Sequence, residues 1–291
     1  MKGIEQKWIY LLILSLIWGS SFILIKKSLL GFAPLQVGGL RIVFASLALF
    51  IVGFKSLKTI KREDLKWILI AGLGSSFFPP FFFAIAQTQI NSGVTSILNS
   101  VAPLLTTMVG IAFFGMALRK NQILGVIIGL LGTVVLIVAG MEFKPGQNYW
   151  YSLFIIFSAL GYAFNINIIK SKLAHLSPLA VTTASFGVAF MPGLLILLYT
   201  GVFSEFSGNP AMHTSIWYLL ALAVMGTALA NILFNKLIQL SSPVFAASVT
   251  YLIPLVAVIW GLLDGEFITI HQVLGGFIIL FGVWLVNRKR K

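Results

Sequence analysis

Ten times along this chain an apolar run of about 20 residues recurs, near positions 8–28, 35–54, 67–88, 93–116, 121–140, 150–170, 179–201, 215–237, 244–263 and 270–287. The hydrocarbon core of a bilayer is about 30 Å thick and takes about 20 predominantly apolar residues per crossing helix. Runs of that length direct the chain to a polytopic membrane fold. Helices are the spanning element they predict: a barrel strand would alternate apolar and polar residues, whereas Ile123 to Ala139 is apolar on every side. At 59% hydrophobic and 9% charged residues, with a mean hydropathy of +1.02, the chain carries more apolar surface than a soluble core can hide. The first run, Trp8 to Ile25, is too long for a secretory signal and is followed by Lys26 and Lys27, so it reads as a span that is retained.

Ten crossings put both termini and the loops after spans 2, 4, 6 and 8 on one side. That side holds Lys2, Lys7, Lys55, Lys58, Lys61, Arg62, Lys66, Arg119, Lys120, Lys170, Lys172, Lys236, Arg288, Lys289, Arg290 and Lys291. The other side receives Lys26, Lys27 and Lys144, and Arg41 falls inside span 2. The positive-inside rule then predicts cytoplasmic termini and a multi-pass protein of the cytoplasmic membrane. The net charge of +13 is accounted for by these clusters at helix ends, and nucleic acid is not an expected partner. With no cysteine, the chain has neither a disulfide scaffold nor a thiolate metal site.

The chain also repeats itself. Span 4 reads SILNSVAPLLTTMVGIAFFG and span 9 reads ASVTYLIPLVAVIWGLLDGE, each with one proline, Pro103 and Pro254. Aligning those prolines brings Gly110 onto Gly261 and, after one gap, Gly115, Gln122, Gly125 and Gly132 onto Gly265, Gln272, Gly275 and Gly282. Upstream, Trp67 meets Trp217 and Pro34-Leu35 meets Pro178-Leu179. Two five-span units follow, 1–140 and 146–291. Five is odd, so the second copy enters the membrane from the opposite side. The expected fold class is therefore all-α, ten transmembrane helices arranged as two inverted five-helix repeats, a plan that secondary transporters use to rock about a central site.

On these residues, together with SLIWGSSF and Lys26 in span 1, Arg41 in span 2 and the ending GLLDGEFITIHQVLGGFIILFGV, the chain resembles the EamA-type family of the drug/metabolite transporter superfamily. The Gly-Glu and Gln-x-x-Gly segment at 265–275 is the most specific part; the first copy departs from it with Met116 where glutamate is common. The resemblance implies export of amino acids or related metabolites, through a central cavity lined mainly by spans 1, 3, 4, 6, 8 and 9.

A helix proline frees the carbonyl four residues before it, here those of Asn99 and Thr250. Freed carbonyls at membrane depth need protein, water or ligand, which directs attention to a cavity there or, alternatively, to a packing kink. Tyr251 lies beside Thr250. Tyr162 and Asn165 are three apart on span 6, and Thr227, Asn231 and Asn235 recur every four residues on span 8, placing each set on one helix face. They suit either a polar cavity or interhelical bonding. In span 3, Pro79-Pro80 breaks a helix among phenylalanines, and Trp18, Phe22, Phe78 and Phe82 are candidates for an aromatic pocket or for lipid-facing packing. Arg41 has three readings: an outer gate pair with Asp264 or Glu266, a contact for a substrate carboxylate, or snorkelling to headgroups. Pro79, Pro103, Pro254, Arg41 and Glu266 are thus the helix-break and gating candidates.

No phosphate-loop motif is present, and no acid or histidine lies mid-span, so a facilitator, an exchanger and a proton antiporter all stay open. A membrane enzyme would need a base to activate its nucleophile at that depth, which the spans lack. No cofactor or metal is expected. The partners are a small-molecule substrate and the bilayer, with drugs, nucleosides or other solutes as the alternative cargo. Glycines 125, 129 and 132, with 275, 276 and 282, form small-residue stripes for close helix packing or, alternatively, for a homodimer; a monomer is the default.

Overall fold

The computed structural model describes residues 2–90, 92–117, 119–138, 148–206, 208–263 and 270–287, all helix and connecting turn, with no strand among them. The principal runs are α1 (Lys2–Ser28), α2 (Pro34–Gly53), α3 (Arg62–Ala86), α4 (Ser92–Asn99 and Ala102–Phe114), α5 (Lys120–Val138), α6 (Ser152–Ser171), α7 (Pro178–Tyr199), α8 (Pro210–Leu240), α9 (Pro243–Ala247 and Val249–Leu263) and α10 (Ile270–Asn287). Six of them, α1, α2, α3, α6, α7 and α8, are long and apolar enough to cross a membrane; α4, α5, α9 and α10 contribute shorter apolar helices.

The helix starts are written in the sequence. Ser177 Oγ accepts from Ala180 N at 3.1 Å, Asn209 Oδ1 from Ala211 N at 3.1 Å and Ser242 Oγ from Phe245 N at 3.2 Å, each with proline next in the chain. Such caps satisfy amide groups that would otherwise be orphaned at a helix start, and proline's fixed φ suits the first turn. Gln36 caps α2 by accepting from Ala33 N at 3.0 Å.

Two helices open into a π turn at Leu73–Phe77 of α3 and Val224–Leu229 of α8. In α3 the wide turn sits just before Pro79-Pro80, whose missing amides release the α-pattern: Phe78 N bonds Leu73 O, five residues back. In α8 Thr227 Oγ1 donates to Leu222 O, also five back, at 2.9 Å.

The breaks in α4 and α9 do not coincide. α4 is interrupted at Ser100 and Val101, immediately before Ala102-Pro103, whereas α9 is interrupted at Ser248 and then runs through Pro254 as continuous helix. The freed Thr250 carbonyl accepts from Ser100 Oγ at 3.3 Å, so protein from the other half supplies its partner.

Helix α5 lies along α10, α2 along α7, α1 against α9 and α8, and α6 against α4 and α3. The small-residue stripes are consumed inside the chain. A Cβ at Gly282 would stand 2.5 Å from Gly129 N and 2.8 Å from Gly125 O, so only glycine allows α5 and α10 this approach. The outer perimeter is apolar, with Ile51, Leu30, Phe113 and Phe277 among the exposed large side chains, as lipid contact requires.

Candidate functional site

Helices α1, α2, α3, α4, α6, α7, α8 and α9 meet around an internal cavity of about 80 Å³, room enough for several waters. Each helix offers it one face. From α1 come Trp18, Ser21, Phe22 and Ile25, spaced three, four and seven apart; α6 gives Tyr162, Asn165 and Ile166, and α8 gives Thr227, Asn231 and Phe234. α9 adds Ala247, Thr250 and Ile253, α4 adds Asn99 and Ala102, α3 adds Ser75, Pro80 and Phe83, α2 adds Arg41 and α7 adds Phe186.

The polar lining is oriented by backbone bonds around the π turns and helix breaks. Trp18 Nε1 donates to Gly226 O at 3.0 Å, inside the α8 π turn, and Asn231 Nδ2 donates to Thr227 O at 2.8 Å. Arg41 Nε donates to Thr227 Oγ1 at 2.7 Å. Thr250 Oγ1 donates to Ala247 O at 3.0 Å. Asn99 is 5% exposed and its Oδ1 has no hydrogen-bond partner. A buried acceptor left open in this way is costly.

Of the residues singled out from sequence, Trp18, Phe22, Arg41, Asn99, Tyr162, Asn165, Asn231 and Thr250 come together at this cavity. Others do not. Tyr251 points away from it: its hydroxyl donates to Val126 O at 2.7 Å and its ring packs over Gly129, joining α9 to α5. Phe78 is exposed, and Phe82 stacks on Phe78 at 5.7 Å and meets Phe154 at a tilt at 5.2 Å. The π turn is the reason. One extra residue per turn rotates the following helix by about 100°, which brings Pro80 and Phe83 onto the wall and swings Phe78 and Phe82 off it. Pro79 is buried beside the wide turn, and Pro103 and Pro254 lie in α4 and α9 without lining the cavity. Asn235, the third member of the α8 row, instead donates to Thr182 Oγ1 at 2.8 Å.

Arg41 does not snorkel. It turns inward to the cavity and bonds α8. Asp264 and Glu266, the acids set opposite it, lie outside the described residues.

Toward the end of the bundle that carries Lys7, Lys66 and Lys172, an apolar cluster packs the interior, the largest among the described residues, with Leu11, Leu14, Ile169, Leu237 and Phe245 among its members. That end is also clasped by polar contacts: Lys170 Nζ donates to the carbonyls of Ile238 and Gln239 at 3.2 and 3.0 Å, Gln239 Nε2 to Leu176 O at 2.8 Å, and His175 Nε2 faces Asp64 Oδ1 at 3.2 Å. Phe22, Ile25, Phe83 and Ile253, which line the cavity, belong to a separate, smaller apolar cluster.

Sequence reasoning missed Ser21, Ile25, Phe83 and Phe186. The first two share the helical face of Trp18 and Phe22 and were recoverable from a period of 3.6; Phe186 comes from α7, whose polar residues Thr182, Thr183 and Ser185 do not line the cavity.

Comparison with known proteins gives the family. The EamA-like transporter family matches residues 6–138 and again residues 149–288. The chain is 26% identical to an "Uncharacterized transporter" of Archaeoglobus fulgidus, over 98% of this chain and 100% of that one. It is 27% identical to the "Uncharacterized inner membrane transporter YedA" of Escherichia coli K12, over 94% of this chain and 88% of that one. A "Probable amino-acid metabolite efflux pump" of Salmonella typhimurium is 25% identical over 94% and 92%. A solved crystal structure aligns with 96% of this chain and 95% of its own at a TM-score of 0.73 and 17% identity, which shows the fold. The chain is a membrane protein of the EamA-like transporter family, whose named relatives are transporters rather than enzymes.

Proposed function

We propose that this protein is a secondary transporter that exports amino acids or related small metabolites across the cytoplasmic membrane, by alternating access to the cavity between its two halves. The observation that carries the reading is the cavity itself: α1, α3 and α4 meet it with polar and aromatic side chains, and so do α6, α8 and α9, their counterparts five helices on. In this reading ten helices cross the bilayer as two inverted repeats, 1–140 and 146–291, with both termini cytoplasmic. Several features support it. Pairings recur when every helix is advanced by five: α4 with α6 and α9 with α1, α3 with α6 and α8 with α1. The π turns fall in α3 and α8, and the family matches each half once. The names of two relatives as amino-acid metabolite efflux pumps support the substrate class.

In this reading the apolar packing around Leu11, Leu14, Ile169, Leu237 and Phe245 lies on the cytoplasmic side, and transport requires it to part. The helices act as monomer elements, since the small-residue stripes are occupied within the chain. The absence of native cysteine gives a direct test. A single cysteine at Asn231 should react with a membrane-impermeant maleimide from either side of the membrane, and a transported amino acid should change the two rates in opposite senses. Reactivity confined to one side whatever solute is added would contradict alternating access; a response to nucleosides or cationic drugs alone would favour the other cargo.

A further inference from the structure

The cavity wall carries one cation and, among the described residues, no anion. Arg41 enters seven residues after the start of α2, and its Nε is fixed by Thr227 Oγ1 at 2.7 Å. Thr227 in turn is held by its own bond to Leu222 O at 2.9 Å. The guanidinium is thereby oriented beside Tyr162 on the same wall, while its two terminal amino groups make no hydrogen bond or ion pair among the described residues. The acids whose side chains are described are engaged elsewhere. Asp64 accepts from Lys61 N and faces His175, Glu205 accepts from Gln36 Nε2 at 2.9 Å, and Glu63 is 3.7 Å from Lys61 Nζ at the surface. None of them lines the cavity. Leu263, the last described residue of α9, lies thirteen residues beyond Thr250, about 20 Å along the helix at the standard rise.

A guanidinium withdrawn from water is unfavourable until a counter-charge meets it, and its planar fork matches a carboxylate with two parallel bonds. On the same wall the buried Asn99 Oδ1 lacks a donor. Trp18, Phe22 and Phe83 line the same cavity. We propose that the transported solute carries a carboxylate, that Arg41 receives it through its terminal amino groups, and that Asn99 Oδ1 accepts from an N–H on the same solute, leaving the aromatic wall for an apolar portion. The proposal rests on the reading of the cavity as the transport site and adds to it a charge requirement: anions and zwitterions enter, and amines without a carboxylate do not.

The test uses four probes on the purified full chain by titration calorimetry: phenylalanine, 3-phenylpropionate, phenylalaninamide and phenethylamine. Wild type should bind the two carboxylates at least tenfold more tightly than the amide and the amine. Arg41→Gln should weaken the carboxylates about ten- to hundredfold, the scale of a lost charge-assisted pair, and leave the other two unchanged. Arg41→Lys, which keeps the charge without the fork, should fall between. If Arg41→Gln does not fold, the wild-type series still decides. Equal affinity for acid and amide in wild type, or equal loss for all four in a folded Arg41→Gln, would overturn the proposal. So would recovery of flux in an Arg41→Glu, Glu266→Arg double variant when each single variant is dead, since Arg41 would then belong to a gate pair. Binding of the amine or amide with exclusion of the acids would sink the carboxylate assignment and leave the transport reading standing. No saturable binding by any of the four overturns it as well, and the same titration with a nucleoside then shows whether the transport reading falls with it.

Discussion

Replacing Gly282 by alanine tests whether α5 and α10 are locked together by backbone approach. The added methyl would meet Gly129 N at 2.5 Å, Gly129 Cα at 2.7 Å and Gly125 O at 2.8 Å, all backbone atoms that cannot rotate aside. Contact at optimal separation is about 3.5–4 Å, so the two helices must part by about 1 Å or more over their shared length. Overpacking of this kind costs about 1–3 kcal/mol. Against it stands the helix propensity of alanine over glycine, about 0.5–1 kcal/mol. Gly187 in α7 is the matched control: its Cβ would meet Phe50 at 3.6 Å, ordinary contact, so Gly187→Ala keeps the propensity gain without the clash. The expected result is Gly282→Ala less stable than wild type by about 1–2 kcal/mol and Gly187→Ala equal or slightly more stable, read by denaturant titration in detergent micelles. Equal stability of the two variants would refute the packing account. A change in oligomeric state in place of stability would place Gly282 at an interface between chains.

Asn99→Leu and Thr250→Leu should each lower transport at least tenfold with the purified protein still monodisperse, because both side chains face the cavity; full activity in both would remove them from the site. Tyr251→Phe should cost about 1 kcal/mol of stability through its lost bond to Val126 O and leave KM unchanged, which a flux titration checks. Asn167→Leu removes the donor to Thr106 O and Ala163 O, both at 2.9 Å, and should destabilise the α4–α6 contact by about 1 kcal/mol in the same micelle assay.

Much of this architecture was legible because membrane helices advertise themselves by length and apolarity alone. The polar cavity residues were legible for the same reason: Asn99, Tyr162, Asn165, Asn231 and Thr250 stand out where nearly everything else is apolar. The failures trace to local geometry that periodicity does not reveal. Pro79-Pro80 announces a broken helix without saying that the break is a π turn, and the resulting rotation decides that Phe83, and not Phe82, meets the cavity. Pro103 and Pro254 align in sequence, yet one opens its helix and the other is accommodated, because Ser248 takes the break in α9 and Ser100 supplies a hydroxyl to the Thr250 carbonyl. Glycine stripes in α5 and α10 state that something approaches closely and leave the partner unnamed; the backbone contact of Gly282 with Gly129 names it.

The central claim, a carrier for small carboxylate-bearing solutes, is tested most directly by flux into proteoliposomes of a panel of labelled amino acids, with and without an imposed proton gradient. The account predicts saturable uptake of at least one member, lost in Asn99→Leu and competed by its deaminated acid but not by its amide. Absence of saturable flux across the panel from folded, correctly reconstituted protein would contradict it.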